Sequence, residues 1–216
     1  MITIPEVVEK IVRRSPYLEE ALALGIANLS ALARFIKPDV ERETMKEVKD
    51  GAVIIALNRL SRTTSRRIRR MKSMFRNAPD LTVRSNLMEL TFANAEHLIL
   101  RQKKLLDLVG GKPGLFLTVT RGINETTLIA SRELKDRILA VFKGARMIDR
   151  IENLSSITVL LPQGTAHVPG VFHYILKSLA WEGLNVVEVV STLNEFTIIL
   201  EDKTVDQAFS LIKKLF

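Results

Sequence analysis

Pro169-Gly170 opens the stretch "VPGVFHYILKSLAWEG", and the chemistry available there is anion binding by backbone. Proline fixes φ where a helix begins, and glycine lets other backbone approach closely. The first N–H groups of the following helix are unpaired and sit at the positive end of its dipole. A carboxylate docked on them gains charge-assisted hydrogen bonds. A tight strand-to-helix turn that binds only water is the other reading of the same residues. A second chemistry lies in "NRLSRTTSRRIRRMKSMFRNAP". Residues 51–80 hold eight Lys or Arg and one acid, so this short stretch carries nearly all of the chain's net charge of +8. Arg59, Arg62, Arg66, Arg67, Arg69 and Arg70 are candidates for phosphate contacts. Ser61, Thr63, Thr64 and Ser65 between them are suited to the same backbone. A solvated basic linker is the alternative.

The remaining inventory excludes much. Cysteine is absent, which removes disulfides, thiol nucleophiles and thiolate metal sites. His97, His167 and His173 have no short metal-ligand spacing. His173 is expected to be a packed helix residue and Trp181 a core residue. Glu201 and Asp202 are adjacent, so on a strand they face opposite sides and make no acid–base pair. No Walker loop, dinucleotide fingerprint or nucleophile elbow is present. The expectation is a protein with no catalytic residue, metal or cofactor, and not an enzyme. No apolar run approaches the roughly 18 residues that span a bilayer. The start "MITIPEVVEK" lacks the basic and apolar regions of a signal peptide, so no membrane partner and a cytoplasmic location are expected.

The elements that must position these groups fall into two styles. The first sixty residues read as helices. One runs from Pro5 to a break at Ser15-Pro16, the next from Pro16 to Gly25. A third is capped by Asn28 and ends at Lys37-Pro38, and "PDVERETMKEV" is a charged helix of its own. A further helix has Asp50 as its N-cap. From Leu81 the period changes. "LTVRSNLMELTF" alternates like a strand. "NAEHLILRQKKLLDLVGG" is a helix from cap Asn94 to stop Gly110. "LFLTVTRGINETTLIAS" is a hairpin, "RELKDRILAVF" a helix ending near Gly144, and "ARMIDRIENL" a further strand. From Ser156 the order recurs: strand "ITVLLP", the Pro-Gly helix, strands "LNVVEVVSTL" and "EFTIILED", and a last helix "TVDQAFSLIKKLF". The recurrence, about 75 residues apart, is a duplication signal. Each unit covers one sheet face with two helices, a two-layer α/β sandwich.

Residues 156–216 resemble an ACT domain, the small-molecule regulatory module of βαββαβ topology, and are closest to the subtype in the aspartokinase regulatory tail. The resemblance is carried by Pro169-Gly170-Val171, by "EGLNVVEV", by Glu195 to Glu201 and by the closing helix. Residues 81–154 resemble a more degenerate copy. Together with the helical reading of residues 1–76, it implies an α+β chain: that helical domain followed by two ferredoxin-like modules, 81–154 and 155–216. It also implies an amino-acid effector surrounded by Gln163, Gly164, Ala166, His167, Val168, Pro169, Gly170 and Asn185. No amino-acid kinase domain is expected ahead of the modules. The second module also lacks its last strand, and either "ARMIDRIENL" or "LTVRSNLMELTF" is expected to fill the gap and interlock the two.

"NLSALARFI" and "GAVIIALNRLSRTTSRR" resemble the two helices of a helix-turn-helix unit, which implies duplex DNA as a partner. A helical dimerisation cap is the alternative. The expected whole is a homodimeric, ligand-responsive DNA-binding regulator. The alternative is a regulatory subunit of an amino-acid biosynthetic enzyme that binds no DNA.

Overall fold

The computed structural model describes residues 2–74, 80–96, 98–109, 114–165 and 168–216, except for the side chains at 67, 70–72, 74, 108 and 109. Contacts divide the chain into two compact units, Met1–Arg76 and Asn77–Phe216.

The first unit contains α1 (Ile4–Arg13), α2 (Pro16–Leu24), α3 (Leu29–Thr44) and α4 (Asp50–Met74). Thr3 and Glu6 cap α1 reciprocally. Gly25, at φ 73°, ends α2. Asn28 accepts from the N–H groups of Ser30 and Ala31 to start α3. The core is an apolar stripe from each helix, including Val8, Val12, Leu22, Ala33, Ile36, Val40, Val53 and Leu57.

Two expectations are corrected in this unit. Lys37-Pro38 does not end the third helix; α3 continues through Pro38, so the separate charged helix does not exist. Ile36 and Val40 both enter the core, and one turn of helix is what places residues four apart on one face. That burial offsets the hydrogen bond Pro38 cannot make. Asp50 is the first residue of α4 and no longer a cap; it pairs with Lys37 at 3.0 Å.

The basic stretch is not a linker either. It forms the second half of α4, a helix of 25 residues. Ser61 and Ser65 donate to the carbonyls of Leu22 and Ala23, each at 2.7 Å, and Thr64 is buried. The two serine hydroxyls fasten α4 to the last turn of α2, where the Leu22 carbonyl also takes the Gly25 N–H at 3.2 Å, and so they are unavailable to a phosphate backbone. Replacing both serines with alanine is expected to cost about 1–3 kcal/mol of the first unit's stability, at a typical net worth of about 1 kcal/mol per bond. Urea unfolding measures this.

The second unit runs β1 (Leu81–Ala93), α5 (Leu98–Val109), β2 (Leu117–Arg121), β3 (Glu125–Ser131), α6 (Lys135–Val141), β4 (Met147–Leu160), α7 (Val171–Trp181), β5 (Glu188–Ser191), β6 (Glu195–Glu201) and α8 (Val205–Leu215). The strands make one sheet in the order β2-β3-β1-β4-β6-β5, antiparallel throughout. "ARMIDRIENL" and "ITVLLP" are not separate strands; they are the two ends of β4.

β1 and β4 each serve both halves of the sheet. Leu87–Ala93 pairs with β3, and the same part of β1 meets the first half of β4. The second half of β4, Leu154–Leu160, pairs with β6. On its other side, Ser156–Val159 takes Leu81–Arg84 from the start of β1. The strand missing from the second half thus comes from the opening residues of "LTVRSNLMELTF". Register shifts flank Leu87 on both sides. There Asn86 (φ 58°) and Asn153 (φ 56°) adopt left-handed backbone, a conformation asparagine tolerates better than most residues. Such bulges bend and twist a strand.

The bend has a consequence for packing. On one side of the sheet, Met88, Leu90, Phe92 and Leu128 pack on α5 and α6, and Phe196 stacks on Phe172 of α7 with centroids 4.5 Å apart. On the side without these helices, Leu87, Ile129, Leu154 and Ile199 form one cluster, each 0–1% exposed. Phe116, next to β2, and Val187, next to β5, both pack on that cluster. A flat sheet would leave this side open to water, yet its cluster is buried with none of α5, α6 or α7 over it. The two halves therefore curl toward each other and cover one another's helix-free face.

The halves repeat in detail. Thr91 bonds to Thr127 at 3.0 Å, and Thr158 to Thr197 at 2.8 Å. Gly122 N–H donates to the Glu125 carbonyl, and Thr192 N–H to the Glu195 carbonyl; Asn94 and Leu161 N–H groups reach the carbonyls of Asn124 and Asn194. Asn94 is not the cap of α5, which begins at Leu98. Its side chain donates to the carbonyls of Gly122 and Ile123 and accepts from Thr126, tying down the β2–β3 turn. The expected stop, Gly110, lies outside the described residues.

Candidate functional site

The loop from β4 to α7 carries most of the effector residues expected from the sequence. Leu161 N–H donates to the Asn194 carbonyl at 2.6 Å, Thr165 N–H to the Pro162 carbonyl at 3.2 Å, and Val168 N–H to the Thr165 carbonyl at 2.9 Å. The Thr165 hydroxyl also donates to Pro162, and Thr165 is buried. Gly164 (φ 83°) and Gly170 (φ 94°) both take the left-handed conformation. Gly170 immediately precedes α7, and no side chain caps that helix. Gln163, Gly164, Pro169 and Gly170 are exposed and Val168 is half-buried. Ala166 and His167 lie outside the described residues. One chain therefore presents a solvent-facing helix start within a turn anchored by Thr165.

Asn185 is not brought to that turn. It follows the other end of α7, an 11-residue helix about 16 Å long. His173 and Trp181 also depart from expectation. Both are exposed, Trp181 by 71%, because they lie off the stripe of Val171, Ile175 and Leu179 that α7 buries. His97 lies outside the described residues, and among those described no group of three His or acidic residues is placed to hold a metal. No helix of the described residues is long and apolar enough to cross a membrane.

On α4, the buried stripe of Val53, Leu57, Leu60 and Thr64 fixes what faces outward. Arg59, Arg62, Arg66 and Arg69 are all exposed, and their spacing of three, four and three residues keeps them on one face. Arg69 donates to the Ser65 carbonyl at 3.3 Å. Lys10, Arg13, Arg14, Lys37 and Arg42 pair with carboxylates elsewhere in this unit. Among the described residues, the four α4 arginines show no such pair. The side chains of Arg67 and Arg70 lie outside the description.

Two carboxylates on the central strands have opposite electrostatics. Glu152 of β4 accepts from Lys135 at 2.9 Å and from Arg150, and these bonds hold its carboxyl down to about 2. Its ion pairs are present at neutral pH and are lost as pH falls toward that value. Glu89 of β1 is pushed up instead, first by burial and then by the charges of Glu188 and Asp149; a hydrogen bond with Thr91 works the other way. Glu89 drew no attention in the sequence. The only signal was an acid in the middle of the apolar run "LMELTF".

No family model matches the chain, and no curated protein matches it. Solved structures do. The regulatory subunit of aspartate kinase from Thermus thermophilus, in its ligand-free form, superposes with a TM-score of 0.53 at 11% identity, covering 64% of this chain and 99% of that one. About two thirds of the chain shares the fold of an aspartokinase regulatory subunit. Aspartokinase alpha and beta subunits give 0.53 at 14% identity, again over 64% of this chain and 99% of the other. The aspartate kinase of Clostridium acetobutylicum gives 0.53 at 16%, over 63% of this chain. The present chain spans only 34% of the length of that kinase. The share covered corresponds in size to Asn77–Phe216, and identities this low speak for fold alone.

Proposed function

We propose that the chain is a regulatory protein whose second unit, as two interlocked ACT-like modules, senses an amino acid or similar small carboxylate. The observation that carries this reading is the uncapped, solvent-facing start of α7 behind Gly170, in a unit with a regulatory-subunit fold. The effector's carboxylate takes the first N–H groups of α7, with Gln163, Gly164, Ala166, His167, Val168 and Pro169 around it. Asn185, at the far end of α7, enters a site only from a second copy, so the sensor works as a homodimer. Thermal unfolding in the presence of each of the twenty amino acids tests the reading. A ligand at 100 times its Kd adds about 2.7 kcal/mol to stability. One or a few amino acids should raise the Tm, and Gly170→Val should erase the rise, since a β-branched residue is strained at positive φ. No shift with any amino acid overturns it.

What the sensor acts on has two readings. As a subunit of an amino-acid biosynthetic enzyme it would resemble the matched regulatory subunits and co-purify with that enzyme. As a DNA-binding regulator it would use α3 and α4 as the helix-turn-helix pair. The arginine face of α4 favours the second reading, because four guanidinium groups held in line suit a row of phosphates better than a flexible linker would.

A further inference from the structure

Glu89 lies where the two halves of the sheet close on each other, and it is the wrong residue for such a place. Leu87 and Thr91 flank it on β1, and Ile129 of β3 and Ile151 of β4 stand opposite it. Three of these, Leu87, Ile129 and Ile151, belong to or pack on the cluster that joins the halves. Glu89 is 9% exposed, and its Oε2 has no hydrogen-bond partner among the described residues.

The charged groups that face it are acids. Asp149 is the register partner of Thr91, which makes it the diagonal neighbour of Glu89 on the same side of the sheet. Glu188 comes from β5, and its charge acts on Glu89 although β5 and β1 are separated in sheet order by β4 and β6. Only the curl of the sheet brings them close. β3 contributes Ile129 and Thr127, neither of which titrates. An ionised carboxylate buried without a cation is costly, and two further negative charges add to the cost.

We propose that Glu89 is a proton-operated latch between the two halves: protonated, it lets them close on each other; ionised, it drives them apart. The closed form holds the proton more tightly than the open form. Closure is therefore complete below the ordinary carboxylate range and weakens as pH rises through the raised value that burial gives Glu89. Once Glu89 ionises, the charges of Glu188 and Asp149 add repulsion. The inference rests on the closed sheet and not on the effector reading, so either can fail alone.

The absence of cysteine makes the test direct. Ile123 and Leu193 sit at the two hairpin tips, 95% and 71% exposed, one in each half. Spin labels on Ile123→Cys and Leu193→Cys in the full chain report the distance between halves. Between pH 5 and pH 8 the distance distribution is expected to lengthen and broaden. Adding Glu89→Gln should hold the pH 5 distribution at both values, and Glu188→Gln should move the midpoint to lower pH. A distribution that ignores pH, or a pH response that Glu89→Gln leaves intact, overturns the latch. The carboxyl carbon of Glu89, followed by NMR in the unlabelled chain, gives a second reading that needs no variant. Titration in the ordinary carboxylate range also overturns the proposal.

Discussion

Leu154→Ala is expected to remove about 4 kcal/mol from the stability of the second unit, in the upper part of the range for buried leucines. Leu154 is 0% exposed and is the register partner of Leu87 at the crossing of β1 and β4. Its side chain is shared by both halves of the sheet, so the cavity opens at the point where they hold together and neither half can relax into it alone. Leu87→Ala should cost a similar amount. The double variant should cost less than the sum, because the two side chains share one cavity. Urea unfolding followed by circular dichroism measures this, with the first unit's transition unmoved. A loss below about 1 kcal/mol would mean that the halves do not depend on this seam.

Replacing Arg59, Arg62, Arg66 and Arg69 with glutamine is expected to abolish binding to duplex DNA at moderate salt, if the regulator reading is right. Four phosphate contacts give a salt slope near −3.6, so affinity should fall about 150-fold between 50 and 200 mM salt. The quadruple variant should show almost no slope. The fold should survive, because these side chains are exposed and pair with no acid among the described residues. Titration of labelled duplex at several salt concentrations checks both numbers. If the unmodified chain fails to bind at low salt, the enzyme-subunit reading stands alone.

Local signals in the sequence placed most elements. Proline and glycine marked the start of α2, its end and the entry to α7. The two hairpins followed from alternation on either side of Gly122 and Asn194. The Pro-Gly turn was found because its chemistry is local. What escaped needed tertiary information. Pro38 sits inside α3 because the burial of Ile36 and Val40 outweighs a local stop signal. β4 read as two strands because Asn153 interrupts its alternation, and only the pairing with β1 shows one continuous strand. Trp181 and His173 were assigned inward from residue type, whereas the phase of α7 around Ile175 decided otherwise. Ser61 and Ser65 looked like companions of the arginines until α2 came within reach. Asn94 has the form of a cap, but the turn at Gly122 claimed it. Glu89 shows the same limit most plainly, since Glu188, whose charge acts on it, lies about a hundred residues away.

The loan of Leu81–Arg84 to Ser156–Val159 also bears on how copies of this chain associate. A segment that completes the other half of the sheet in its own molecule can complete the same half in another, with identical bonds. Concentrated or partly denatured protein is thus expected to form strand-exchanged dimers. Such dimers would run as twice the monomer mass, dissociate slowly on dilution, and share the monomer's spectra.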